Sequence, residues 1–344
     1  MKQATLDVAE QGRQKRPRQA TIYDIARLAG VNASTVSRAL NDPDRVTAKT
    51  RAIVEAAAIK LDYKANPFAR ALPTGLTQTL GLIVADITNP SFFDVIRGAG
   101  AAAAEHGYTM VLAESTESPQ TEVTVARRML GTVDGLILAS PRMHDRNISE
   151  LTAEKPVVVV NREVDGVPCV VPDVDRGISQ TVRNLAGQGH RKILYVGGPG
   201  ESWMSGRRWE GIRAACDWSR VEAVRRESTA PTVEGGRKLA REVHEAGVTA
   251  VIAYNDLLAI GLMQELQAAG ISIPETVSIV GFDDIFGADF TSPPLTTIRS
   301  PLHECGVRAA ARLLQGLAGA PETRTAMLPI ETELIVRGSS GPIP

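Results

Sequence analysis

The sequence predicts a small all-α unit at the N terminus, followed by a larger α/β core of two lobes with parallel sheets. Between residues 20 and 65, apolar side chains recur at helical spacing and only short turn signals interrupt them. From Leu80 onward, β-branched runs alternate with helical segments. These runs lack polar alternation, which is typical of parallel strands covered by helices on both faces. They are also too numerous for one sheet of ordinary width, so two lobes are expected.

Charge is distributed unevenly along the 344 residues, although 38 basic and 39 acidic side chains nearly cancel. Residues 1–75 hold 13 basic and 7 acidic side chains, and the rest of the chain holds 25 and 32. A basic N-terminal unit predicts a polyanionic partner. Because the sequence has no apolar run near the ~18 residues of a membrane span and no export signal, we expect a cytoplasmic protein with no membrane partner. Cys169, Cys216 and Cys305 form no CxxC motif and are expected to be reduced thiols.

The N-terminal unit is expected to contain three short helices. Thr21 and Asp24 form a capping box before the first helix, and Thr47 caps the third. The predicted bounds are a first helix ending at Gly30, a second helix over Ala33–Leu40 with Asn32 as its cap, and a third from about Ala48 to Leu61. The side chains of the third helix expected to face inward are Ile53, Val54, Ala57 and Leu61. The polar, basic residues 1–19 predict a disordered arm.

The first two helices fit a helix-turn-helix, in which Gly30 turns the chain and Val36 buries the corner. A plain helical hairpin would show the same apolar pattern. The outer face of the second helix favours DNA binding, because its side chains are short or able to form hydrogen bonds: Ala33, Ser34, Ser37 and Arg38. Arg38 can donate two parallel hydrogen bonds to guanine O6 and N7 in a major groove.

The core is predicted to consist of repeated strand–helix units. The predicted strands are Leu80–Ala85, Tyr108–Ala113, Gly135–Ala139, Val157–Val160, Lys192–Val196, Ala250–Tyr254 and Val277–Gly281. The predicted helices are Phe92–His106, Thr121–Leu130, Gly177–Gly189, Arg207–Asp217, Gly235–Ala246 and Leu257–Ala269. Ligands of such lobes bind in the crevice at the carboxyl ends of the strands, so the polar residues at those ends are the candidates for a binding site.

The segment from Thr21 to Asn41, T-I-Y-D-I-A-R-L-A-G-V-N-A-S-T-V-S-R-A-L-N, closely resembles the lactose-repressor/galactose-repressor family of bacterial transcription regulators. Two later segments, V-T-A-K-T-R and N-P-F-A-R-A-L, strengthen the resemblance, which runs to about Arg337. It implies a homodimer that binds a pseudo-palindromic operator in double-stranded DNA. It also implies a core that is similar to periplasmic binding proteins and takes a small sugar or sugar derivative as effector. The implied domains are a basic arm at 1–19, a DNA-binding domain at 20–65, a hinge helix and linker at 66–77, and a two-lobed effector-binding and dimerisation domain at 78–344.

Position by position, the resemblance implies a set of DNA contacts. The expected major-groove readers are Ala33, Ser34 and Arg38, and the expected phosphate and edge contacts around them are Thr21, Ser37, Asn41 and Arg45. The segment 66–72 resembles the family's hinge helix, which is too short to fold alone and folds when two copies pair in the minor groove. Its implied DNA contacts are Asn66, Ala69 and Leu72, with Leu72 as the wedge between bases. An ordinary linker is the alternative interpretation. Pro73 departs from the family, in which a basic residue often follows, and so removes one phosphate contact.

In the core, the resemblance implies residues that surround the effector. Asp283 is the expected acceptor of sugar hydroxyls and Arg208 the expected donor. Asn161 and Asn255 follow two strands and are further candidates, while the expected apolar walls are Ser91, Phe92, Phe93 and Trp203. Simpler roles remain open: Asp283 and Arg208 pairing only with each other, Phe93 and Trp203 lying in the core, and Asp256 capping the helix after it.

The sequence therefore predicts a repressor of carbohydrate-metabolism genes whose operator affinity is controlled by an effector, acting as an inducer or as a corepressor. A solute-binding protein for sugar uptake without DNA binding is the alternative. Enzymatic function is not expected, because the chain has no GxxxxGK, HExxH or GxSxG motif and Gly197–Gly200 lacks the spacing of GxGxxG. The five histidines are scattered, so we expect neither a metal site nor a cofactor.

Overall fold

A computed structural model of the chain describes residues 20–41, 45–63, 75–228, 230–319 and 329–343. Its contacts divide the chain into two compact units, one ending at Gly75 and one beginning at Leu76. The predicted disordered arm at residues 1–19 and most of the predicted hinge segment lie outside the described residues.

The described part of the N-terminal unit contains three helices: α1 (Ile22–Ala29), α2 (Ala33–Asn41) and α3 (Ala48–Lys60). The amide of Thr21 donates to the Asp24 carboxylate at 2.9 Å, and the amide of Asp24 donates back to the Thr21 hydroxyl, which completes the predicted capping box. Gly30 ends α1 in the left-handed conformation with φ 66°. Side chains from all three helices form one small core: Ile25, Ala26, Val36, Ala39, Val54 and Ala57.

The prediction that Ile53 of α3 faces the core is wrong. Ile53 is 43% exposed, whereas Val54 and Ala57 are buried and Leu61 is partly buried. The inward face of the helix follows the spacing of Val54, Ala57 and Leu61, and each step along a helix turns the side chain by about 100°. Ile53 therefore lies at the edge of that face and reaches solvent.

The first lobe of the core unit is built on a parallel sheet of five described strands in the order β2-β1-β3-β4-β5. Its strands are β1 (Thr79–Val84), β2 (Thr109–Glu114), β3 (Gly135–Ala139), β4 (Val157–Val160) and β5 (Cys169–Val170). The helices between them are α4 (Ser91–Glu105), α5 (Pro119–Leu130) and α6 (Asp145–Glu154). Strands β1, β3 and β4 are almost entirely buried, as expected for a sheet covered on both faces.

The second lobe has six described strands in the order β11-β10-β9-β8-β6-β7, of which only β11 is antiparallel to its neighbour. The strands are β6 (Lys192–Gly197), β7 (Glu222–Glu227), β8 (Ala250–Ala253), β9 (Ser278–Asp283), β10 (Thr296–Arg299) and β11 (Glu333–Ile335). Four helices of the described residues accompany them: α7 (Asp175–Gly187), α8 (Trp203–Ser219), α9 (Val233–Glu245) and α10 (Asp256–Ala268).

Helix α11 (Leu302–Leu317) belongs to the first lobe, although it follows strands β6–β10 of the second lobe in sequence. It packs on α4 and β4 of the first lobe. Strand β11 then returns to the second sheet beside β10. The chain therefore passes between the lobes more than once, and neither lobe is a continuous segment.

Glycines allow two helix pairs to approach until their backbones touch. A Cβ on Gly98 of α4 would lie 2.1 Å from the carbonyl oxygen of His303, and one on Gly306 of α11 would lie 2.3 Å from another backbone oxygen. Helices α9 and α10 share the arrangement, because a Cβ on Gly236 or Gly261 would lie 2.3 or 2.0 Å from the facing backbone. Any side chain at these positions would force the helices apart.

No helix in the described ranges combines the length and apolar character needed to cross a membrane. The same ranges contain no group of three or more His, Cys, Asp or Glu side chains placed to hold a metal ion.

Candidate functional site

Helix α2 presents the side chains predicted to contact DNA. Ser34 and Arg38 are exposed one helical turn apart, so they share one face. Ala33 and Ser37 beside them are partly buried, and Ala33 packs against the small core. Arg38 is therefore the long donor on a surface otherwise made of short side chains.

The other predicted DNA contacts lie before α2, at its end or after it, or outside the described residues. The Thr21 hydroxyl donates to Asp24 at 2.7 Å as part of the capping box, and Arg45 is exposed after α2. Asn41 is the last residue of α2. Asn66, Ala69 and Leu72 lie outside the described residues.

A narrow cavity lies between the lobes of the core unit, at the carboxyl ends of the parallel strands. Its lining consists of Asn89, Ser91, Phe92, Glu117, Ser140, Arg142, Asn161, Met204, Arg208, Pro231, Tyr254, Asp283 and Leu302. Ser140, Asn161 and Tyr254 each follow a strand directly, and Asp283 is the last residue of β9. The space left for water-sized molecules is about 20 Å³, which holds roughly one water.

Arg208 and Asp283 form a buried ion pair on the second-lobe wall. Arg208 donates from Nη2 to Oδ1 of Asp283 at 2.8 Å and from Nη1 to the carbonyl oxygen of Tyr254. The guanidinium carbon lies 3.6 Å from the ring centre of Phe282. Burial raises the pKa of Asp283, although the Arg208 charge acts in the opposite direction. The arginine is thus fixed by contacts on several sides.

Glu117 and Arg142 form a second ion pair on the first-lobe wall. Arg142 donates from Nε to Oε2 of Glu117 at 2.6 Å and from Nη2 to Oε1 at 3.2 Å, a bidentate contact. Its Nη1 donates to the carbonyl of Ser140 at 3.0 Å. Burial opposes the charge of Arg142, but Tyr254 and Glu117 outweigh it and raise the pKa of the guanidinium. Arg142 therefore remains a cation inside the cavity wall.

A buried carboxylate holds the loop that carries Arg142. Glu122 on α5 accepts hydrogen bonds from the amides of Arg142 and Met143 at 2.7 and 2.8 Å. Burial raises the pKa of Glu122, while the two amide hydrogen bonds lower it. The position of the Arg142 backbone is therefore set by a side chain from the neighbouring helix.

Two polar atoms of the cavity lining have no hydrogen-bond partner among the described residues: Nε of Arg208 and Oδ1 of Asn161. Buried donors and acceptors are nearly always paired, because an unpaired one costs about 1–3 kcal/mol. Asn161 and Asp283 also have left-handed backbones, with φ 62° and 105°, which is a strained conformation for residues other than glycine. Unpaired polar atoms and backbone strain both concentrate in binding sites.

Five of the eight predicted effector contacts line this cavity: Ser91, Phe92, Asn161, Arg208 and Asp283. Phe93 is 40% exposed outside it. Trp203, the first residue of α8, lines a separate surface hollow together with Arg162 and Arg225.

Asn255 is not among the residues that line this cavity, because the residue is 1% exposed and its side chain is engaged within the protein. Its Oδ1 accepts from the amide of Leu258 at 2.9 Å and caps α10, while its Nδ2 donates to the carbonyl of Pro231. The capping role considered for Asp256 thus belongs to Asn255. Asp256 is instead fully buried beneath the cavity wall.

Sequence reasoning missed several lining residues, although a usable signal was present. Ser140 comes directly after β3 and Tyr254 directly after β8, so the carboxyl-end rule applies to them as well. Arg142 and Glu117 lie three residues beyond the ends of β3 and β2, in loops that the rule does not single out.

Comparison with known proteins identifies the family. Residues 21–66 match the model described as bacterial regulatory proteins, lacI family, and residues 182–340 match that of the periplasmic binding protein-like domain. The HTH-type transcriptional repressor CytR of Escherichia coli (strain K12) is 33% identical over 342 residues, which cover 94% of this chain and 97% of CytR.

Two solved structures are similar over most of their length. The Lac repressor dimer bound to operator and the anti-inducer ONPF has a TM-score of 0.83 at 25% identity, covering 94% of this chain and all of that one. A LacI family regulator from Enterococcus faecium with bound ribose has a TM-score of 0.69 at 29% identity, covering 77% of this chain and all of its own. CytR and the Lac repressor are both transcriptional repressors. The chain belongs to the lacI family of bacterial regulatory proteins and is a helix-turn-helix transcriptional regulator.

Proposed function

We propose that this chain is a homodimeric repressor of carbohydrate-metabolism genes that acts in the cytoplasm. It binds a pseudo-palindromic operator in double-stranded DNA and responds to a small sugar or sugar derivative in the core cavity. In this proposal residues 20–65 bind DNA, residues 66–77 form the hinge helix and linker, and residues 78–344 bind effector and dimerise. Residues 1–19 form a basic arm.

The observation that carries the effector assignment is the polar lining of the cavity at the strand ends. Arg208 and Asn161 each hold an unpaired buried atom there, one donor and one acceptor. A ligand hydroxyl supplies both an acceptor and a donor, so a polyhydroxylated molecule satisfies both atoms. Ser91, Phe92 and Asp283 complete the predicted contacts in the same cavity. The ribose-bound relative, whose fold covers the core, supports the same class of ligand.

The size of the cavity implies that the lobes move when the effector binds. Space for about one water cannot contain a sugar, so the two walls must separate before a ligand enters. The segments that pass between the lobes, such as the one between β10 and α11, are the places for a hinge. A ligand that binds one lobe arrangement better than the other shifts the population of DNA-binding dimers by that difference in affinity.

The DNA assignment depends on α2. Arg38 and Ser34 share its exposed face, and a dimer would place two such helices in successive major grooves. Leu72 in the proposed hinge helix would open a base step in the minor groove between them. The similar Lac repressor structure is a dimer bound to operator, which supports this arrangement.

Gel-shift titration of the full chain against genomic fragments tests the proposal. A regulator retains particular fragments with an affinity that falls steeply as salt rises, and a sugar from a panel changes that affinity. The direction of the change distinguishes an inducer from a corepressor. A protein that binds sugar but no specific DNA would instead be the solute-binding alternative and would refute the proposal.

A further inference from the structure

We propose that Glu117 and Arg142 form a second hydroxyl-binding pair opposite Arg208 and Asp283, so that the cavity selects an uncharged polyol that contacts both lobes. The proposal rests on the effector function proposed above and specifies the chemistry of that site. It assigns a binding role to two residues that neither the sequence pattern nor the family resemblance indicated.

The two pairs have the same composition and occupy opposite walls. Arg142 follows β3 and Glu117 follows β2 in the first lobe, whereas Arg208 lies on α8 and Asp283 ends β9 in the second. A carboxylate next to a guanidinium offers an acceptor and donors side by side. Two neighbouring hydroxyls of a sugar can donate to the first and accept from the second. A pair on each wall therefore recognises two ends of one ligand.

The charges of the lining favour an uncharged ligand. Among the described residues that line the cavity, two guanidiniums face two carboxylates, and each guanidinium has its own carboxylate partner within 2.8 Å. A phosphate or carboxylate ligand would have to enter beside Glu117 and Asp283, where burial weakens screening of like charges. If the anionic ligand instead paired with Arg142 and Arg208, Glu117 and Asp283 would lose their cationic partners. An anion therefore meets a cost that a neutral hydroxylated molecule avoids.

The first-lobe pair is both rigid and accessible. Arg142 is held by Glu117, by the Ser140 carbonyl and, through its backbone, by Glu122. The Glu117 side chain is nevertheless 23% exposed, and Glu117 lines the cavity beside Arg142.

The test uses the full-length protein and a panel of D-ribose, D-xylose, D-glucose, D-galactose and cellobiose. Thermal-shift screening selects the sugar that stabilises the wild type most, and calorimetry then measures its Kd. The same measurement is made for Glu117→Gln and Arg142→Lys. The matched control is the exposed pair Arg127 and Glu150, which are 3.0 Å apart on the surface, as Arg127→Lys and Glu150→Gln.

We expect each cavity variant to weaken binding of that sugar by about tenfold or more, because a hydrogen bond to a charged group is lost. The control variants should bind as the wild type does. The phosphate ester of the same sugar should bind the wild type at least about tenfold more weakly than the parent sugar, since it brings a charge beside two carboxylates.

Deoxy analogues of the sugar separate direct contact from a structural role. If Glu117 contacts a hydroxyl, removing that hydroxyl costs the wild type affinity but costs Glu117→Gln much less, so the two losses are not additive. Additive losses for every deoxy position would overturn the contact. Melting temperatures measured without ligand show whether each variant folds. If Arg142→Lys does not fold, the comparison of Glu117→Gln and wild type with the deoxy analogues tests the inference by itself.

The possible failures can be distinguished. A sugar that binds both cavity variants and the wild type equally overturns this inference and leaves the proposed effector function intact. Tighter binding of the phosphate ester than of the sugar overturns the claim of an uncharged ligand. If specific DNA binds but no sugar of the panel stabilises the wild type, the effector function is refuted and the inference falls with it.

Discussion

Replacing Asp256 by asparagine should remove the contribution of this carboxyl group to the pH dependence of second-lobe stability. The carboxyl group is fully buried, accepting from the Thr297 hydroxyl at 2.6 Å and from the amide of Ile285 at 2.8 Å. Burial, with the nearby charges of Asp283 and Asp284, raises its pKa from 3.8 to about 8, although the two hydrogen bonds oppose the rise. At neutral pH the folded protein therefore holds a proton that the unfolded chain has released.

The size and sign of the effect follow from that difference. Below about pH 4 both states are protonated, so the group causes no loss of stability. Between about pH 4 and pH 8 folding takes up a proton, and the free energy of unfolding falls by up to about 1.4 kcal/mol for each pH unit. An asparagine side chain has nearly the same shape, keeps an oxygen that can accept a hydrogen bond, and has no proton to take up in this pH range. The stability difference between variant and wild type should therefore grow by about 2.7 kcal/mol from pH 5 to pH 7.

Urea unfolding followed by tryptophan fluorescence measures this difference. All three tryptophans, Trp203, Trp209 and Trp218, lie on α8, so the signal reports the lobe that contains Asp256. The exposed Glu150→Gln serves as control and should leave the pH profile unchanged. Parallel pH profiles for Asp256→Asn and the wild type would refute the raised pKa.

Four further predictions concern DNA binding, the effector and packing. Arg38→Ala should lower discrimination between operator and random DNA by about 1–3 kcal/mol per half-site in filter binding, and unchanged selectivity would exclude Arg38 as the base reader. Asp283→Ala should still shift operator in gels but no longer respond to effector, because the hydroxyl acceptor is lost; a normal response would place the effector elsewhere. Leu72→Ala should weaken operator binding and reduce DNA bending without changing effector affinity, whereas a bend equal to that of wild type would contradict the wedge. Gly306→Ala should lower unfolding free energy by about 1–3 kcal/mol in urea, since its Cβ would lie 2.3 Å from a backbone oxygen, while Gly100→Ala, with no described heavy atom within 4 Å, should not.

The sequence predicted those strands whose own residues form a short apolar run, and it missed elements that depend on distant partners. Strands β3 and β4 were predicted to the residue, because each is a short apolar run bounded by turn signals. Strand β7, with the sequence Glu-Ala-Val-Arg-Arg-Glu, was missed. It is a charged edge strand that forms through pairing with β6, and this pairing leaves no apolar run in the sequence. Helix α11 was missed too, and its partner α4 is distant in sequence.

In the candidate site, single residues could also be predicted from the sequence, whereas their pairing could not. The family resemblance implied Arg208 and Asp283 as donor and acceptor and left open that they pair with each other, and the structure brings them together. Asn255, an expected effector contact, caps α10 in place of Asp256, because adjacent polar residues at a strand–helix junction can each cap the helix and only packing selects one. The pairing of Glu117 with Arg142 joins two loops, and no spacing in the sequence encodes it.

The route of the chain through α11 has a consequence for biosynthesis. The ribosome completes the first sheet early, but the helix that covers α4 emerges only after β10 of the second sheet. Until then the apolar face around Gly98 has no partner. Nascent chains arrested before Leu302 should therefore be prone to aggregation and be good clients for chaperones, and neither lobe should be obtainable by simple truncation.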